Sequence, residues 1–143
     1  MKVIPFSTAE FLITQPKALD LDIADKLWKY HIIPMVPVRE ALGLAIWASQ
    51  KSGYRPHWYE LRRGRSGKSE HCFIGLGAVD WTCADIYNNK HRLLDLIIKY
   101  TSYTRIAVYD GFIHCDHKPT ASGQREIYSS NAQSQWKFIR YAA

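Results

Sequence analysis

The sequence has few cysteines and no long hydrophobic run. Its three cysteines are an odd number and lack C-x-x-C spacing, which excludes a complete disulfide framework and a four-cysteine zinc site. We expect them to be free thiols in a reducing compartment. No segment approaches the roughly 18 apolar residues of a membrane helix, and Ser7, Thr8 and Glu10 interrupt the first apolar stretch. We therefore expect a protein that is made in a cytoplasm without a signal peptide.

Internal repeats and low-complexity segments are also absent from the sequence, which excludes a solenoid or a tandem array. A length of 143 residues with 47% hydrophobic residues suits one packed domain, to which we assign residues 1–143. A formal net charge of +6 favours polyanionic surroundings, either nucleic acid or a bacterial envelope. The densest basic stretch, residues 61–69, is expected to be a solvated loop. Because no nucleic-acid recognition motif accompanies it, we expect no specific nucleic-acid partner.

Helical and extended patterns alternate along the chain without a regular βαβ rhythm, which indicates an α+β fold. Apolar spacing predicts a helix over residues 20–31, after which Pro34 and Pro37 should break the chain. Residues 52–70 lack periodicity and are predicted to form a long functional loop. The other predicted elements are, in order, a short helix at 38–42, strands at 45–49 and 77–83, a helix at 84–100, a hairpin of strands 105–109 and 112–117 around Asp110-Gly111, a polar tail at 119–135 and an edge strand at 136–141.

Two histidines and one aspartate have the side chains that a catalytic metal site needs. His71 and Asp80 lie in the segment SEHCFIGLGAVDW, and His114 lies in the middle of the predicted strand FIHCDH. Imidazole nitrogens and a carboxylate oxygen are zinc ligands, and three of them without cysteine leave a fourth position open for water. Such sites activate water at neutral pH because the metal lowers the pKa of that water towards about 7. The structural alternative for each of these side chains is a hydrogen-bonded core histidine or a turn aspartate.

Three blocks of the sequence resemble one enzyme family. SEHCFIGLGAVDW is similar to the S-x-H…G-x-A-x-D motif of the zinc D-alanyl-D-alanine carboxypeptidases and L-alanyl-D-glutamate endopeptidases. VREALGLAIWASQKSGYR resembles the segment that leads into this motif, and VYDGFIHCDH resembles the strand that carries the final histidine. The blocks follow the family's order over residues 21–118. The resemblance implies a Hedgehog/DD-peptidase-like fold, with a small antiparallel sheet and helices packed on it.

The resemblance also implies roles for individual residues. The two histidines and the aspartate match the family's three zinc ligands. Arg55, in SGYR, matches the arginine that polarises the scissile carbonyl or holds a substrate carboxylate, a role that suits a permanently charged, planar donor group. Ser52 and Tyr54 flank Arg55 and are expected to line the substrate groove.

The sequence departs from the family pattern in two places. The first two ligands are nine positions apart, rather than the usual seven, so the connection between them carries two additional residues. Gly111 occupies the position three before His114 at which many members carry the acidic general base. Asp116 and Asp110 are the candidates for that role. Asp116 is favoured because a residue two positions after His114 on a strand faces the same side of the sheet.

These observations predict a phage lysin-like zinc hydrolase that cuts peptide bonds of peptidoglycan, in stem peptides or cross-links. The pattern leaves open whether the enzyme is a carboxypeptidase or an endopeptidase. We expect a monomer that reaches the cell wall after release from a host cytoplasm or as part of a virion. A catalytically weak, zinc-containing cell-wall-binding module is the alternative, because Gly111 replaces the usual base.

Overall fold

The computed structural model describes residues 6, 11, 21–49, 52–65, 69–130 and 135–142. They form an α+β fold. Its helical elements are α1 (Leu21–Lys26), a π-helical turn (Leu27–Ile32), α2 (Ile33–Leu42), α3 (His57–Arg62), a 3-10 turn (Glu70–Cys72) and α4 (Ile86–Tyr100). Its strands are β1 (Ile46–Ala48), β2 (Ala78–Cys83), β3 (Arg105–Val108), β4 (Ile113–Asp116), β5 (Glu126–Ser130) and β6 (Trp136–Tyr141).

Most of the predicted elements are confirmed, and two were missed. The predicted strands at 45–49, 77–83, 105–109, 112–117 and 136–141 and the helix at 84–100 all form, within a few residues of their expected bounds. The loop predicted for 52–70 contains α3, and the polar tail predicted for 119–135 contains β5. The middle of the basic stretch, residues 66–68, lies outside the described residues.

The predicted break at the two prolines is wrong, because the helical segment runs through both of them. Pro34 lies in the first turn of α2, where a proline is tolerated. The carbonyl oxygen four residues before it, on Tyr30, accepts a hydrogen bond from His117 Nε2 at 3.0 Å instead. Pro37 lies inside α2. The helix ends at Gly43, which adopts a left-handed conformation (φ 72°).

The sheet has six strands in the order β1-β2-β4-β3-β5-β6. It is mixed, which corrects the expectation of an antiparallel sheet: β3 and β5 are parallel, and every other neighbouring pair is antiparallel. The cause is the connection from β4 to β5. It passes the start of β3 and brings β5 to the far side of that strand, with Arg105 in register with Glu126. A hairpin return would have made the added strand antiparallel.

The two faces of the sheet have different surroundings. Alternate residues of the central strands, among them Val79, Trp81, Ile106 and Cys115, join a core with α2 and α4. The other face of the same strands carries Asp80, His114 and Asp116, all of which are buried. Because side chains alternate across a strand, this arrangement follows from the register alone. The core therefore fixes one face while the polar groups collect on the other.

The three cysteines carry no disulfide, as predicted. Cys72 is half-buried, whereas Cys83 and Cys115 are buried in the core. Burial raises the pKa of all three thiols, so none of them is an activated nucleophile. Among the described residues, no helix combines the length and the apolar character needed to cross a membrane.

A buried chain of hydrogen bonds connects the π-helical turn to the sheet. Trp81 Nε1 donates to the Tyr103 hydroxyl at 3.1 Å, and that hydroxyl lies 2.8 Å from His31 Nδ1. The other ring nitrogen of His31 lies 2.8 Å from the carbonyl oxygen of Leu76, just before β2. Burial lowers the pKa of His31 to about 3, so the ring is neutral. The His31 ring donates to the Leu76 carbonyl oxygen and accepts from the Tyr103 hydroxyl. Every side-chain polar atom in this chain of hydrogen bonds therefore has a partner.

Replacing Tyr103 with phenylalanine should therefore lower the free energy of unfolding by about 1–3 kcal/mol, because a buried indole donor and a buried imidazole acceptor lose their partners. Urea denaturation at pH 7 measures the change. Tyr100→Phe, at a half-exposed position (40% exposed), is the matched control and should unfold like the wild type. Equal unfolding free energies for the two variants would contradict the role of the hydroxyl.

Candidate metal centre

Three side-chain atoms from distant parts of the chain form a small triangle. His71 Nε2 lies 3.2 Å from His114 Nδ1 and 3.3 Å from Asp80 Oδ1, and the third side of the triangle measures 2.9 Å. In a tetrahedral zinc site with ligand distances near 2.0 Å, neighbouring ligand atoms are about 3.3 Å apart. All three residues are at least 90% buried. The triangle thus has the dimensions of one face of a tetrahedral metal site, and the group could hold a metal ion.

His71 is oriented by a backbone carbonyl. Its Nδ1 donates to the carbonyl oxygen of Gly53 at 2.8 Å, which leaves Nε2 with a free lone pair towards the triangle. Gly53 can reach this position because it has no side chain: a Cβ there would lie 2.7 Å from the carbonyl oxygen of Phe11. The Arg55 backbone N–H also donates to the carbonyl oxygen of His71 at 2.8 Å. The SGYR segment therefore holds His71 from two sides.

The segment between His71 and Asp80 forms a local turn. His71 lies in the 3-10 turn that Ser69 caps, and Phe73 follows in a left-handed conformation (φ 57°). The Phe73 ring packs against Tyr54, with ring centroids 5.9 Å apart. It also fills the space that a side chain at position 77 would need. Hence His71 lies on a turn, whereas Asp80 lies on a strand.

His114 is oriented by a carboxylate. Its Nε2 lies 2.8 Å from Asp116 Oδ2, on the opposite edge of the ring from the Nδ1 atom that belongs to the triangle. Asp116 is fully buried and accepts three hydrogen bonds from the Arg105 side chain, at 2.6, 2.9 and 3.1 Å, and one from the backbone N–H of Lys118 at 3.0 Å. A carboxylate behind a histidine ligand fixes the ring and raises its basicity.

Asp80 is oriented by a hydroxyl and a guanidinium. Its Oδ2 accepts a hydrogen bond from Ser52 Oγ at 2.6 Å, and Arg55 Nη2 lies 3.5 Å from the same oxygen. This leaves Oδ1 for the triangle. Each of the three candidate ligands is thus held through the atom that does not take part in the triangle, and this is the arrangement expected for a preformed metal site.

The register of the sheet brings Asp80 and His114 together. They are direct partners across the antiparallel pair β2 and β4, where opposite side chains on one face lie about 5 Å apart. Asp116 follows two residues later on the same face, opposite Arg105 of β3. The prediction that His114 and Asp116 face the same side is confirmed by their contact.

The charges of the buried groups compensate one another. Burial lowers the pKa of His114, but its hydrogen bonds with Asp116 and Asp80 outweigh burial and raise that pKa to about 9. Burial raises the pKa of Asp80, yet the neighbouring His71 and His114 hold it well below its usual range. Burial likewise opposes ionisation of Asp116, and His114 and Arg105 overcome it. Without metal, the imidazolium of His114 therefore lies between two carboxylates at neutral pH.

The triangle opens into a cleft of about 730 Å³. One wall is aromatic: the Trp136 ring packs 5.1 Å from the His114 ring, and Tyr109 stacks on Phe112 with centroids 4.4 Å apart. The charged lining comprises Arg55, Glu60, Arg65, Glu70, Arg105 and Lys118. A site of this volume with an apolar wall and convergent polar groups suits a small ligand or a short peptide segment.

Of the three residues predicted to contact a substrate, one lines the cleft and two do not. Arg55 lines the cleft. Ser52 is 5% exposed and lies behind Asp80, and neither it nor Tyr54 lines the cleft. Asp110 is exposed at the hairpin turn and is likewise outside the lining. The contacts of Ser52 give it a part in orienting the carboxylate, and its role towards a substrate stays a prediction.

The sequence pattern did not identify several residues of the site. Arg105 holds Asp116 and stacks over the Trp136 ring, 4.8 Å from its centroid, although the two lie on different strands. Glu60 and Glu70 line the cleft from the segment that was predicted to be a loop. For Arg105, the one available signal was the register of the predicted hairpin around Asp110-Gly111, which pairs position 105 with position 116.

No protein-family model, curated protein or solved structure matches this chain.

Asp116→Asn should weaken zinc affinity about 10- to 100-fold, because the amide cannot raise the basicity of His114 as a carboxylate does. Asp110→Asn removes the same charge from an exposed position outside the cleft and should bind zinc as the wild type does. Competition titration with a fluorescent chelator at pH 7 measures both variants. Equal loss in the two variants would indicate a general charge effect and would contradict the orienting role.

Zinc binding should be strongly pH-dependent, because a bound metal must displace the proton of His114. The pKa of about 9 means that this proton is present at pH 7, so zinc affinity should rise about tenfold per pH unit between roughly pH 7 and 9 and level off above. Calorimetry in buffers of different ionisation enthalpy should count about one released proton per zinc at pH 7. A flat affinity between pH 7 and 9 would contradict this protonation state.

Proposed function

We propose that this protein is a zinc metallopeptidase that hydrolyses peptide bonds of bacterial peptidoglycan. The observation that carries the metal assignment is the triangle of His71, Asp80 and His114, with a separate orienting partner behind each residue. The donor set of two imidazoles and one carboxylate, without a thiolate, is typical of catalytic zinc with an open fourth position, whereas structural zinc is usually enclosed by cysteines. The cleft gives that open position access to a substrate.

The residues around the triangle suit peptide hydrolysis. A bound zinc ion would supply a Lewis acid and an activated water. The Arg55 guanidinium lies beside Asp80 and lines the cleft. Among the described residues its one short contact is to Ser52 Oγ at 2.7 Å, so it retains donors for a substrate carbonyl oxygen. Charged donors that face a developing oxyanion lower the barrier to hydrolysis. Trp136 and the stacked pair of aromatic rings provide an apolar wall for substrate side chains.

The proton acceptor is best assigned to Glu70. Of the carboxylates that line the cleft, Asp80 is a candidate ligand and Glu60 is fully buried, whereas Glu70 is partly exposed. Asp116, the base favoured by the sequence pattern, contacts the edge of the His114 ring that faces away from the triangle. It would therefore lie away from the open position. With a metal bound, Glu70 would be the residue that accepts a proton during hydrolysis and returns it to the leaving amine.

The substrate class is supported by the sequence resemblance and by the charge. The blocks that carry Arg55, His71, Asp80 and His114 come together in one cleft, although they are far apart in the chain. The net charge of +6 favours adsorption to an anionic bacterial envelope. A phage lysin or a virion-associated enzyme with a Hedgehog/DD-peptidase-like fold fits both features. The reaction products distinguish a carboxypeptidase from an endopeptidase.

One observation favours a second candidate function, a zinc-containing cell-wall-binding module without catalysis. Gly111 occupies the position of the usual base, Asp110 does not line the cleft, and Asp116 is enclosed by its own partners. Apart from Glu70, the carboxylates of the described cleft lining are the candidate ligand Asp80 and the fully buried Glu60. Such a module would retain the metal and the aromatic wall.

The test of the enzyme is release of free D-alanine and new amine termini from purified peptidoglycan. We expect release with zinc, its loss with chelator and its recovery when zinc is restored. Glu70→Gln should retain bound zinc while the rate falls about 10²- to 10⁴-fold, the usual contribution of a general base. Asp110→Asn serves as the charge-matched control and should hydrolyse at the wild-type rate.

The products distinguish the two candidate functions. D-alanine alone indicates a carboxypeptidase, and amine termini without D-alanine indicate an endopeptidase. Tight binding to peptidoglycan with one zinc per chain and no new termini would reject the enzyme in favour of the binding module. Full activity of Glu70→Gln would reject Glu70 as the base and leave the metallopeptidase assignment intact.

A further inference from the structure

Glu60 is a buried carboxylate beside the cleft that the proposed reaction does not use. It lies in α3, it is fully buried, and its Oε1 atom accepts no hydrogen bond from any described residue. Its Oε2 accepts a hydrogen bond from Arg65 Nη1 at 2.7 Å. An unsatisfied buried carboxylate oxygen is costly and rare in native proteins, so its presence calls for an explanation in the surrounding charges.

Glu60 has a second charged neighbour, Arg55. The Arg55 Nη1 atom lies 3.6 Å from Glu60 Oε1, and its Nη2 atom lies 3.5 Å from Asp80 Oδ2. The guanidinium is thus shared between two buried carboxylates at nearly equal distances, and both distances are longer than an ordinary charge-assisted hydrogen bond of about 2.8 Å. Its short contact, at 2.7 Å, is to the neutral hydroxyl of Ser52.

We propose that Glu60 is a positioning residue that holds Arg55 away from the candidate metal ligand Asp80, an inference that rests on the proposed metal site. Attraction to Glu60 balances the attraction of Arg55 to Asp80, so the guanidinium stays between them. Asp80 then keeps its charge for a metal ion, and Arg55 keeps unpaired donors towards the cleft. Arg65 anchors Glu60 from the other side.

Loss of the negative charge of Glu60 is expected to weaken metal binding, for two electrostatic reasons. Without the negative charge at position 60, Arg55 moves towards Asp80 Oδ2, and a closer ion pair withdraws charge from the oxygen that faces the metal. The positive charge of Arg55 also loses its second counterion, which increases its repulsion of a divalent cation nearby. Both consequences weaken metal binding, although Glu60 is not a ligand.

The experiment compares zinc affinities at pH 7 for the 143-residue chain, using zinc alone as the probe. Glu60→Gln should bind zinc about 10- to 100-fold more weakly than the wild type, as other outer partners of metal ligands do. Asp110→Asn removes one carboxylate charge from an exposed position outside the cleft and is the charge-matched control. Its zinc affinity should stay at the wild-type value.

A double-mutant cycle with Arg55→Met decides whether Glu60 acts through Arg55. In the Arg55→Met background, Glu60→Gln should leave zinc affinity unchanged, because no guanidinium is left to position. If Glu60→Gln still weakened zinc binding there, the carboxylate would act directly through its charge and the inference would be overturned.

The outcomes separate this inference from the metal site on which it rests. Equal zinc affinities for the wild type and Glu60→Gln, or equal losses in Glu60→Gln and Asp110→Asn, would overturn the positioning role alone. Failure of the wild-type chain to bind zinc would overturn the metal site and the inference together. A loss confined to Glu60→Gln and abolished by Arg55→Met supports the proposal.

Discussion

The site depends on one cross-strand pair, in which Asp80 of β2 lies directly opposite His114 of β4. A carboxylate buried to this extent is strongly destabilising unless a positive charge faces it. Without metal, the proton on His114 supplies that charge, and a bound metal would supply it in the loaded protein. The same two side chains would therefore form an ion pair without metal and a pair of ligands with it, and the surrounding elements would hold both arrangements.

The partners of this pair come from segments that only the fold brings together. Ser52 approaches Asp80 from the segment before α3, and Arg105 of β3 holds Asp116, which lies two residues after His114 on β4. The site is therefore formed only when the fold forms. Residues 52–55 have to pack on β2, and β3 has to pair with β4. For such sites, metal binding is thermodynamically coupled to folding, because the ligand geometry does not exist in the unfolded chain.

The elements that could be predicted from the sequence are those with a strong local signal. The Asp110-Gly111 turn between two apolar runs specified the hairpin, and α4 carries a long amphipathic pattern. β5 has a single buried apolar residue, Ile127, in a polar segment, so local composition did not distinguish it from a tail. The helix through Pro34 was missed because the partner of the freed carbonyl, His117, lies 87 residues away. Tertiary contacts of this kind override local propensity.

For the site, the sequence by itself determined the three ligand candidates and the shared face of His114 and Asp116, because side-chain chemistry and strand alternation are local properties. Only the tertiary structure decided which atom of each residue faces the triangle, since that depends on partners such as Gly53 and Arg105 that are distant in the sequence. The cleft, the enclosure of Asp116 and the sharing of Arg55 between Asp80 and Glu60 are likewise tertiary. The physical reason is that charge balance and orientation of buried groups are set by all neighbouring elements together, and no local pattern contains them.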